Sequence, residues 1–139
     1  MNALIYESIA NKNLTAEDIS NILETAQDFN EKNNITGCLV YHNHKFLQII
    51  EGEKMIIDDL FVIITNDKRH SEVKLLDECV IYERSFKKLS MAYIDTTPSS
   101  NNEPERKMFI SNMIAYAGIV KRPDQVSQLF WEKVKSILK

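Results

Sequence analysis

The chain has 139 residues, of which 44% are hydrophobic and 27% are charged, a composition typical of one folded domain with or without a small appendage. Its formal net charge of -3 offers no basic excess for binding nucleic acid or an anionic membrane. No run approaches the roughly 18 apolar residues of a membrane span. We find no secretory signal pattern, and we therefore expect a cytoplasmic protein.

Few residues suit the common metal or phosphate chemistries. The chain has three glycines and no glycine-rich phosphate loop. His42 and His44 flank one asparagine in a predicted turn, without a nearby cysteine or acidic cluster, so we expect no metal site. Cys38 and Cys79 lie on predicted strands with no pairing pattern, and we expect free thiols.

Seven elements follow one another in the first two thirds of the chain. Alternating polarity predicts a strand over residues 3–8, and a capping-box variant at Thr15 and Asp18 opens a helix that ends near Asn33. Strands over about 38–41 and 45–50 form a hairpin across residues 42–44, and residues 51–53 end the second of them. A helix is predicted over 55–65, and strands over about 73–82 and 90–94.

This order, βαββαββ, predicts an α+β fold whose first six elements have the ferredoxin-like topology. Because crossovers are right-handed, the first and third strands should lie side by side at the centre of the sheet. Both helices should then cover one face of the sheet.

The remaining chain changes character. Residues 96–106 are rich in Thr, Ser, Pro, Asn and Glu and are predicted to be a linker, and helices are predicted over about 107–117 and 124–138. We therefore divide the chain into a domain of residues 1–95 and a linker with a two-helix extension over 96–139. The last helix has an apolar stripe, and Ile5, Leu47 and Ile49 point away from the first two helices. We infer that the C-terminal helical pair covers that second face, with a dimer interface or partner surface as the alternative.

Strand alternation places Tyr6 and Gln48 next to each other on the two central strands, facing the helices. Buried polar groups there need hydrogen-bond partners. A carboxamide has more hydrogen-bonding capacity than one phenol can satisfy, so we expect water or a ligand between the helices. The alternative is that the two side chains merely satisfy each other or face water.

Other polar residues lie near the ends of the predicted helices. Asn30 has the position of a C-terminal cap, and Arg69 and His70 have the position of a solvated turn. Each residue alone is therefore open to an ordinary structural interpretation.

Taken together, these residues resemble those of the BLUF family, blue-light sensors that use a flavin. The matching strings are LIYES at residues 4–8, NITG at 34–37, FLQ at 46–48 followed by Glu51-Gly52, and DKRH at 67–70, with Met91 beyond them. The resemblance covers about residues 2–95. The tail resembles the two-helix cap of short, stand-alone members.

The resemblance implies a cofactor, usually FAD with FMN as the alternative, between the first two helices. Ile22 and Ile64 would contact its two faces, Asn30 would bond the ring edge, and Gln48 would lie between Tyr6 and the flavin. The remaining implied site residues surround the ring or its side chain. The cofactor-binding residues that we predict are Tyr6, Ser8, Ile22, Asn30, Phe46, Gln48, Ile64, Asp67, Arg69 and His70.

The resemblance also implies a light reaction. Tyr6 would supply an electron, with its proton passing through Gln48, and the rotated or tautomerised amide would bond the flavin carbonyl more strongly and shift its absorption to the red. Met91 would lie close to Gln48. The signal would pass to an unidentified protein partner or through a change of oligomeric state, in a chain expected to be a homo-oligomer and not an enzyme.

Some positions depart from the family pattern. Leu89 stands where many members have a tryptophan, so an exchange of that tryptophan with Met91 is not available. Ile63 and Phe29 replace polar residues of some members, which leaves the phosphate contacts and the choice of FAD over FMN open. Trp131 is interpreted as a packing residue.

Two other functions fit the same pattern. One is a small flavin-dependent redox enzyme on a ferredoxin-like scaffold, although no nucleophile–base or carboxylate pair is evident near the predicted cleft. The other is a structural dimerisation module in which Tyr6 and Gln48 are satisfied core residues.

Overall fold

The computed structural model describes residues 1–87, 89–96 and 124–137, and a five-stranded sheet lies at its centre. The strands are β1 (Asn2–Ala10), β2 (Thr36–His42), β3 (Lys45–Gly52), β4 (His70–Val80) and β5 (Ala92–Asp95), and the helices are α1 (Ala16–Lys32), α2 (Lys54–Thr65) and α3 (Gln125–Ile137). The strand order is β4-β1-β3-β2-β5. β5 runs parallel to β2, and the other neighbours are antiparallel. The predicted α+β, ferredoxin-like arrangement with β1 beside β3 is confirmed.

The two ends of α1 follow from local side-chain chemistry. The hydroxyl of Thr15 accepts a hydrogen bond from the backbone N–H of Asp18, and the Asp18 carboxylate accepts one from the N–H of Thr15, which completes a capping box. The helix is capped at its other end by Asn33, and Asn34 follows with a φ of 55°. Asn30 is therefore not the cap, and its side chain is free for another purpose.

The predicted hairpin between β2 and β3 is present, but its turn has two residues and not the three expected, because β2 continues through His42. Asn43 and His44 have φ values of 46° and 60°, the left-handed pair that matches the twist of the flanking strands. This tight turn fixes the register of β3 against β2 and so decides which of its side chains face the helices.

Because side chains alternate along a strand, the sheet has a hydrophobic layer on each face. The layer that faces α1 and α2 consists of two clusters. Leu4, Tyr6 and Ile50 pack with α2, and Leu39, Phe46 and Met91 are buried together beside partly buried residues of α1. The opposite face of the sheet packs against α3. The buried residues of that second layer include Ile5, Leu47, Ile49, Val126, Phe130, Trp131 and Val134.

The inference that a C-terminal helix covers this face is thus confirmed for α3. Trp131 is buried and stacks on Phe86 with ring centroids 5.6 Å apart, so it is a packing residue as predicted. The predicted helix over 107–117 and nearly all of the predicted linker lie outside the described residues, and the domain boundary near residue 95 stays a prediction.

Several strand boundaries differ from the sequence-based predictions, and three of them bear on the site. β3 continues through Gly52, so the expected break at residues 51–53 was wrong, and Glu51 is a fully buried strand residue. β4 begins at His70, inside the predicted turn, and Glu72 there has a φ of 52°. β5 begins at Ala92, two residues later than expected.

Three further observations concern disulfides, metal binding and membrane-spanning helices. Cys38 and Cys79 are free thiols, as expected. Within the described ranges, no group of three or more His, Cys, Asp or Glu side chains has a metal-binding arrangement. No helix among the residues that the structure describes is long and apolar enough to cross a membrane.

Candidate functional site

A cavity of about 180 Å³ lies between α1, α2 and the helix-facing side of the sheet. Residues spaced three and four apart on each helix form its walls. Helix-facing residues of β1, β2 and β3 form its floor, with His70 at the start of β4 beside them. It opens to solvent on one side. Its lining residues are Tyr6, Ile22, Thr25, Ala26, Phe29, Asn30, Leu39, Phe46, Gln48, Leu60, Ile63, Ile64, Asp67, Arg69 and His70.

Tyr6, Gln48 and Met91 form a buried chain of hydrogen bonds beside the floor of this cavity. Tyr6 and Gln48 are directly paired in the β1–β3 register, and the Tyr6 hydroxyl donates a short hydrogen bond to Oε1 of Gln48. Nε2 of Gln48 donates to Sδ of Met91 at 3.3 Å. Beyond these two bonds the amide has one further N–H and one further oxygen lone pair, and Gln48 lines the cavity.

The surroundings of Tyr6 keep its phenol protonated. Burial, and to a lesser degree the charge of Asp67, raise the pKa of Tyr6 well above its usual range. Tyr6 is therefore a hydrogen-bond donor at any physiological pH. Along the observed hydrogen bond, the acceptor for this proton is Oε1 of Gln48.

Asn30 carries a buried polar atom with no partner. Its Nδ2 donates to the backbone carbonyl of Ser90 at 2.7 Å, and the residue is almost fully buried. Its Oδ1 has no hydrogen-bond partner among the described residues. Because such an acceptor costs about 1–3 kcal/mol when unsatisfied, the atom suits a ligand that donates a hydrogen bond.

His70 is held by bonds from both ring nitrogens. Nε2 lies 2.5 Å from the carbonyl oxygen of Ile64, which can only accept, so Nε2 carries a proton in this contact. Nδ1 lies 2.8 Å from the hydroxyl of Ser8. Ser8 does not line the cavity, so the structure places it behind His70.

The charged pair at the cavity opening is formed by Asp67 and Arg69. Nε and Nη2 of the guanidinium donate to the carboxylate, with the shortest bond at 2.6 Å. The guanidinium of Arg69 lowers the pKa of Asp67, and the carboxylate in turn raises the pKa of Arg69. The pair is partly exposed, so Arg69 can be drawn toward an anion while Asp67 limits the net positive charge there.

The structure also shows lining residues that the sequence analysis did not single out. Thr25 and Ala26 lie on the same helical stripe as Ile22, and Leu60 lies one turn before Ile64. Helical spacing from those two isoleucines would have found all three. Leu39 could have been found from its parity on β2. Phe29 and Ile63, the two positions that depart from the family pattern near the cofactor, also line the cavity and are exposed.

A buried carboxylate fixes the connection that leads into β5. The Glu51 side chain accepts from the backbone N–H groups of Ser85 (2.7 Å) and Phe86 (3.0 Å), and from the hydroxyl of Thr36 (2.9 Å). Burial raises the pKa of Glu51, although these three donors act in the opposite direction. Glu51 therefore holds the start of the segment that ends at Met91.

Later residues of the same segment are bound to α1 and β2. The carbonyl of Leu89 accepts from the N–H of Gly37 at 3.1 Å, and that of Ser90 accepts from Asn30. The Leu89 side chain is exposed. The cavity, Met91 and the connection are thus held together by a small number of hydrogen bonds.

Nine of the predicted site residues line the cavity. The other two are bonded to lining residues, Met91 to Gln48 and Ser8 to His70. The arrangement offers an apolar slot lined by one buried acceptor without a partner, Oδ1 of Asn30, and by a phenol bonded to an amide at its floor. Such a slot suits a flat, largely apolar ring with polar edges.

Comparison with known proteins supports this interpretation. The family model described as BLUF, sensors of blue-light using FAD, matches residues 1–92. Photoactivated adenylate cyclase subunit beta of Euglena longa is 35% identical over 86 residues, which are 62% of this chain and 10% of that protein. Subunit alpha of the Euglena gracilis cyclase is 36% identical over 83 residues, 60% of this chain and 8% of that protein.

Solved structures agree along most of the chain. BlsA in its photo-activated state is 32% identical, with a TM-score of 0.70 over 99% of this chain and 95% of that one. The dark state of BlrB, a BLUF protein, is 26% identical, with a TM-score of 0.71 over 97% and 96% of the two chains.

The chain spans about a tenth of the length of the cyclase subunits that it matches. The cyclase activity in their names is therefore not carried over to it. The family match and the cavity together do not favour a small redox enzyme. The chain belongs to the BLUF family of blue-light sensors that use a flavin.

Proposed function

We propose that this chain is a blue-light receptor in which Tyr6 and Gln48 convert light absorbed by a flavin in the cavity into a rearranged hydrogen-bond network. The observation that carries the proposal is the buried chain from Tyr6 through Gln48 to Met91 along the cavity floor. A bound flavin absorbs blue light and becomes a strong oxidant.

The residues of the cavity fit such a ring. Apolar side chains of the two helices, Ile22 and Ile64 among them, would lie against its faces. The free oxygen of Asn30 and the spare N–H of Gln48 would bond its polar edge. His70 would border the ring through its edge, since both of its nitrogens have partners within the chain.

The opening of the cavity fits the rest of the cofactor. Arg69 is the cation placed there to meet a phosphate, and Asp67 shares its charge. We propose FAD as the cofactor, since the description of the matching family names FAD, with FMN as the alternative that cofactor extraction decides.

The chemistry of the chain lies in the pair Tyr6 and Gln48. With a flavin bound, Tyr6 would give one electron to the photo-excited ring, and its phenolic proton would move to Oε1 of Gln48. When electron and proton return, the amide is left rotated or tautomerised, with donor and acceptor ends exchanged. Each hydrogen bond involved is worth about 1 kcal/mol net, so the two arrangements are close in free energy and the change is reversible.

The change then reaches Met91, because the end of the amide that donates to Sδ is altered. Met91 leads directly into β5, and the connection before it packs against α3 through Phe86. We propose that a protein partner, or another copy of this chain in a homo-oligomer, responds to a shift of β5 and α3.

The geometry of the site supports a role in signalling and not in enzymatic turnover. The pair closest to a nucleophile and base is Ser8 with His70. Ser8 is buried away from the cavity, and the second nitrogen of His70 bonds a backbone carbonyl instead of an acid. This pair therefore has neither substrate access nor the orienting carboxylate of a catalytic triad.

An absorption spectrum tests the proposal. The purified protein should be yellow, and blue light should shift its absorption to the red with recovery in darkness. Size-exclusion chromatography under both conditions tests the oligomeric response. A colourless protein that takes up no added flavin, or a bound flavin that bleaches irreversibly, would overturn the proposal.

A further inference from the structure

Four residues on four neighbouring strands form a continuous row across the sheet. Tyr6 pairs with Gln48, Gln48 pairs with Leu39, and Leu39 pairs with Tyr93. Side chains of directly paired residues lie on the same face of a sheet. Tyr93 accordingly packs against the cluster of Leu39, Phe46 and Met91 on the helix-facing side.

This row places one tyrosine on either side of the cavity floor. Gln48 and Leu39, the two middle members, both line the cavity. Because neighbouring strands are about 4.8 Å apart, the backbone of Tyr93 is about 10 Å from that of Gln48. Tyr93 is therefore close enough to exchange an electron with a ring above the floor, on the side away from Tyr6.

Tyr93 also has its own proton acceptor. Its hydroxyl donates to Oδ2 of Asp95 at 3.3 Å, two residues along β5 and on the same face of the strand. Burial and the carboxylate of Asp95 raise the pKa of Tyr93 above its usual range. The phenol is thus protonated, with a base in hydrogen-bond contact that can take its proton.

We propose that Tyr93, with Asp95 as its proton acceptor, is a second redox-active tyrosine of the light reaction. The proposal rests on the function proposed above. One electron passes from Tyr93 to the photo-excited ring, and the phenolic O–H bond breaks as its proton moves to the Asp95 carboxylate. Return of the electron to Tyr93 and of the proton from Asp95 restores both groups.

The two tyrosines differ in what their oxidation does to the amide. The proton of Tyr6 passes to Gln48, whereas that of Tyr93 passes to Asp95 and leaves Gln48 unchanged. Oxidation of Tyr93 is therefore an unproductive branch that competes with signalling. In a variant that lacks Tyr6, electron transfer from Tyr93 is the reaction that remains.

The test uses the flavin-loaded chain, illuminated with blue light and frozen for electron paramagnetic resonance. Tyr6→Phe should retain a trapped tyrosyl radical, and Tyr6→Phe with Tyr93→Phe should lose it. The matched control is Tyr6→Phe with Tyr82→Phe, because Tyr82 is 96% exposed and its removal should leave the radical in place. Tyr6→Phe with Asp95→Asn should lose most of it.

A flavin-free measurement checks the phenol–carboxylate pair separately. In the protein without flavin, phenolate absorbance during alkaline titration should show a late-titrating tyrosine that Tyr93→Phe removes and Asp95→Asn shifts to lower pH. A Tyr93 that titrates as a free phenol would contradict the proposal.

The outcomes separate this proposal from the function on which it rests. A yellow chain with a normal red shift, whose radical yield is the same in Tyr6→Phe and in the Tyr93 double variant, would overturn the role of Tyr93 alone. Tyr41 packs against the same cluster as Tyr93, and a radical that disappears only when Tyr41 is replaced would assign the branch to Tyr41 and overturn the proposal. A chain that takes up no flavin would overturn both proposals.

Discussion

Tyr6 and Gln48 are joined twice, as direct partners in the β1–β3 register and through the hydrogen bond from the phenol to the amide oxygen. The backbone pairing holds the two side chains at one level of the sheet, and the side-chain bond sets which end of the amide faces Tyr6. Sδ of Met91 occupies the other end. The orientation of this one amide thus depends on both neighbours.

The first prediction concerns Tyr6. Tyr6→Phe removes the transferable proton but keeps the ring that packs against Phe61, so flavin should remain bound while the light-induced red shift is lost. The light-minus-dark absorption spectrum measures this. Tyr82→Phe is the control and should keep a normal shift, and a normal shift in Tyr6→Phe would contradict the mechanism.

The second prediction concerns Asn30. Asn30→Ala removes both the free acceptor and the bond to Ser90, and we expect flavin to bind about tenfold more weakly, as the loss of about 1.4 kcal/mol implies. Flavin titration of the apoprotein, followed by fluorescence, gives the Kd.

The control for that experiment is Asn33→Ala. Asn33 is the neighbouring cap, and its side chain bonds the Phe29 carbonyl outside the cavity. The Asn33→Ala substitution should lower the free energy of unfolding slightly without changing the Kd for flavin. Equal affinities for wild type and Asn30→Ala would show that Asn30 does not hold the cofactor.

The third prediction is a pH dependence at Glu51. Burial raises the pKa of Glu51 in the folded state above its ordinary value of 4.5, so the folded chain holds this proton more tightly than the unfolded chain. Its contribution to stability is fully present below pH 4.5 and is lost as the pH rises through the raised value.

Denaturant unfolding of wild type and Glu51→Gln across this pH range measures the effect. The free energy of unfolding of wild type, relative to the variant, should fall as the pH rises above 4.5 and then become constant. The variant also places an amide N–H against the N–H of Ser85 or Phe86, which should cost about 1–3 kcal/mol at all pH values. A difference that does not change with pH would contradict the raised pKa.

The fourth prediction compares two glycines. A Cβ on Gly37 would lie 2.1 Å from the carbonyl oxygen of Ile49, a backbone atom that cannot move without breaking the β2–β3 pairing. A Cβ on Gly52 would meet side-chain carbons of Ile57 and Ile35 at 3.1 and 3.4 Å.

Gly37→Ala should therefore cost more than the roughly 1–3 kcal/mol of ordinary overpacking, and Gly52→Ala should stay within that range. Thermal or urea unfolding of the two variants measures the difference. Similar stabilities would show that the strands separate more easily than their pairing implies.

Much of the fold and part of the site follow from the sequence because alternation on a strand is a strict rule. Parity alone places Tyr6 and Gln48 on the helix-facing side and Ile49 on the other, and the structure has both arrangements. The site roles of the lining residues stay predictions that the variants above address.

Other features could not be predicted because they depend on contacts far apart in the chain. Glu51 was taken as a break since an acidic residue beside glycine is rare inside a strand, and its burial is explained by donors from Thr36 on β2 and from residues 85 and 86. The parallel pairing of β5 with β2, which completes the row to Tyr93, is likewise set by tertiary packing.

The two cores on either side of the sheet are built from alternate residues of the same strands. Gln48 faces the cavity, and its chain neighbours Leu47 and Ile49 face α3. Any small displacement of β3 that a rotated Gln48 amide causes therefore also moves the side chains that pack against α3. The shared backbone of β3 can thus carry a change from the cavity side of the sheet to the side that packs against α3.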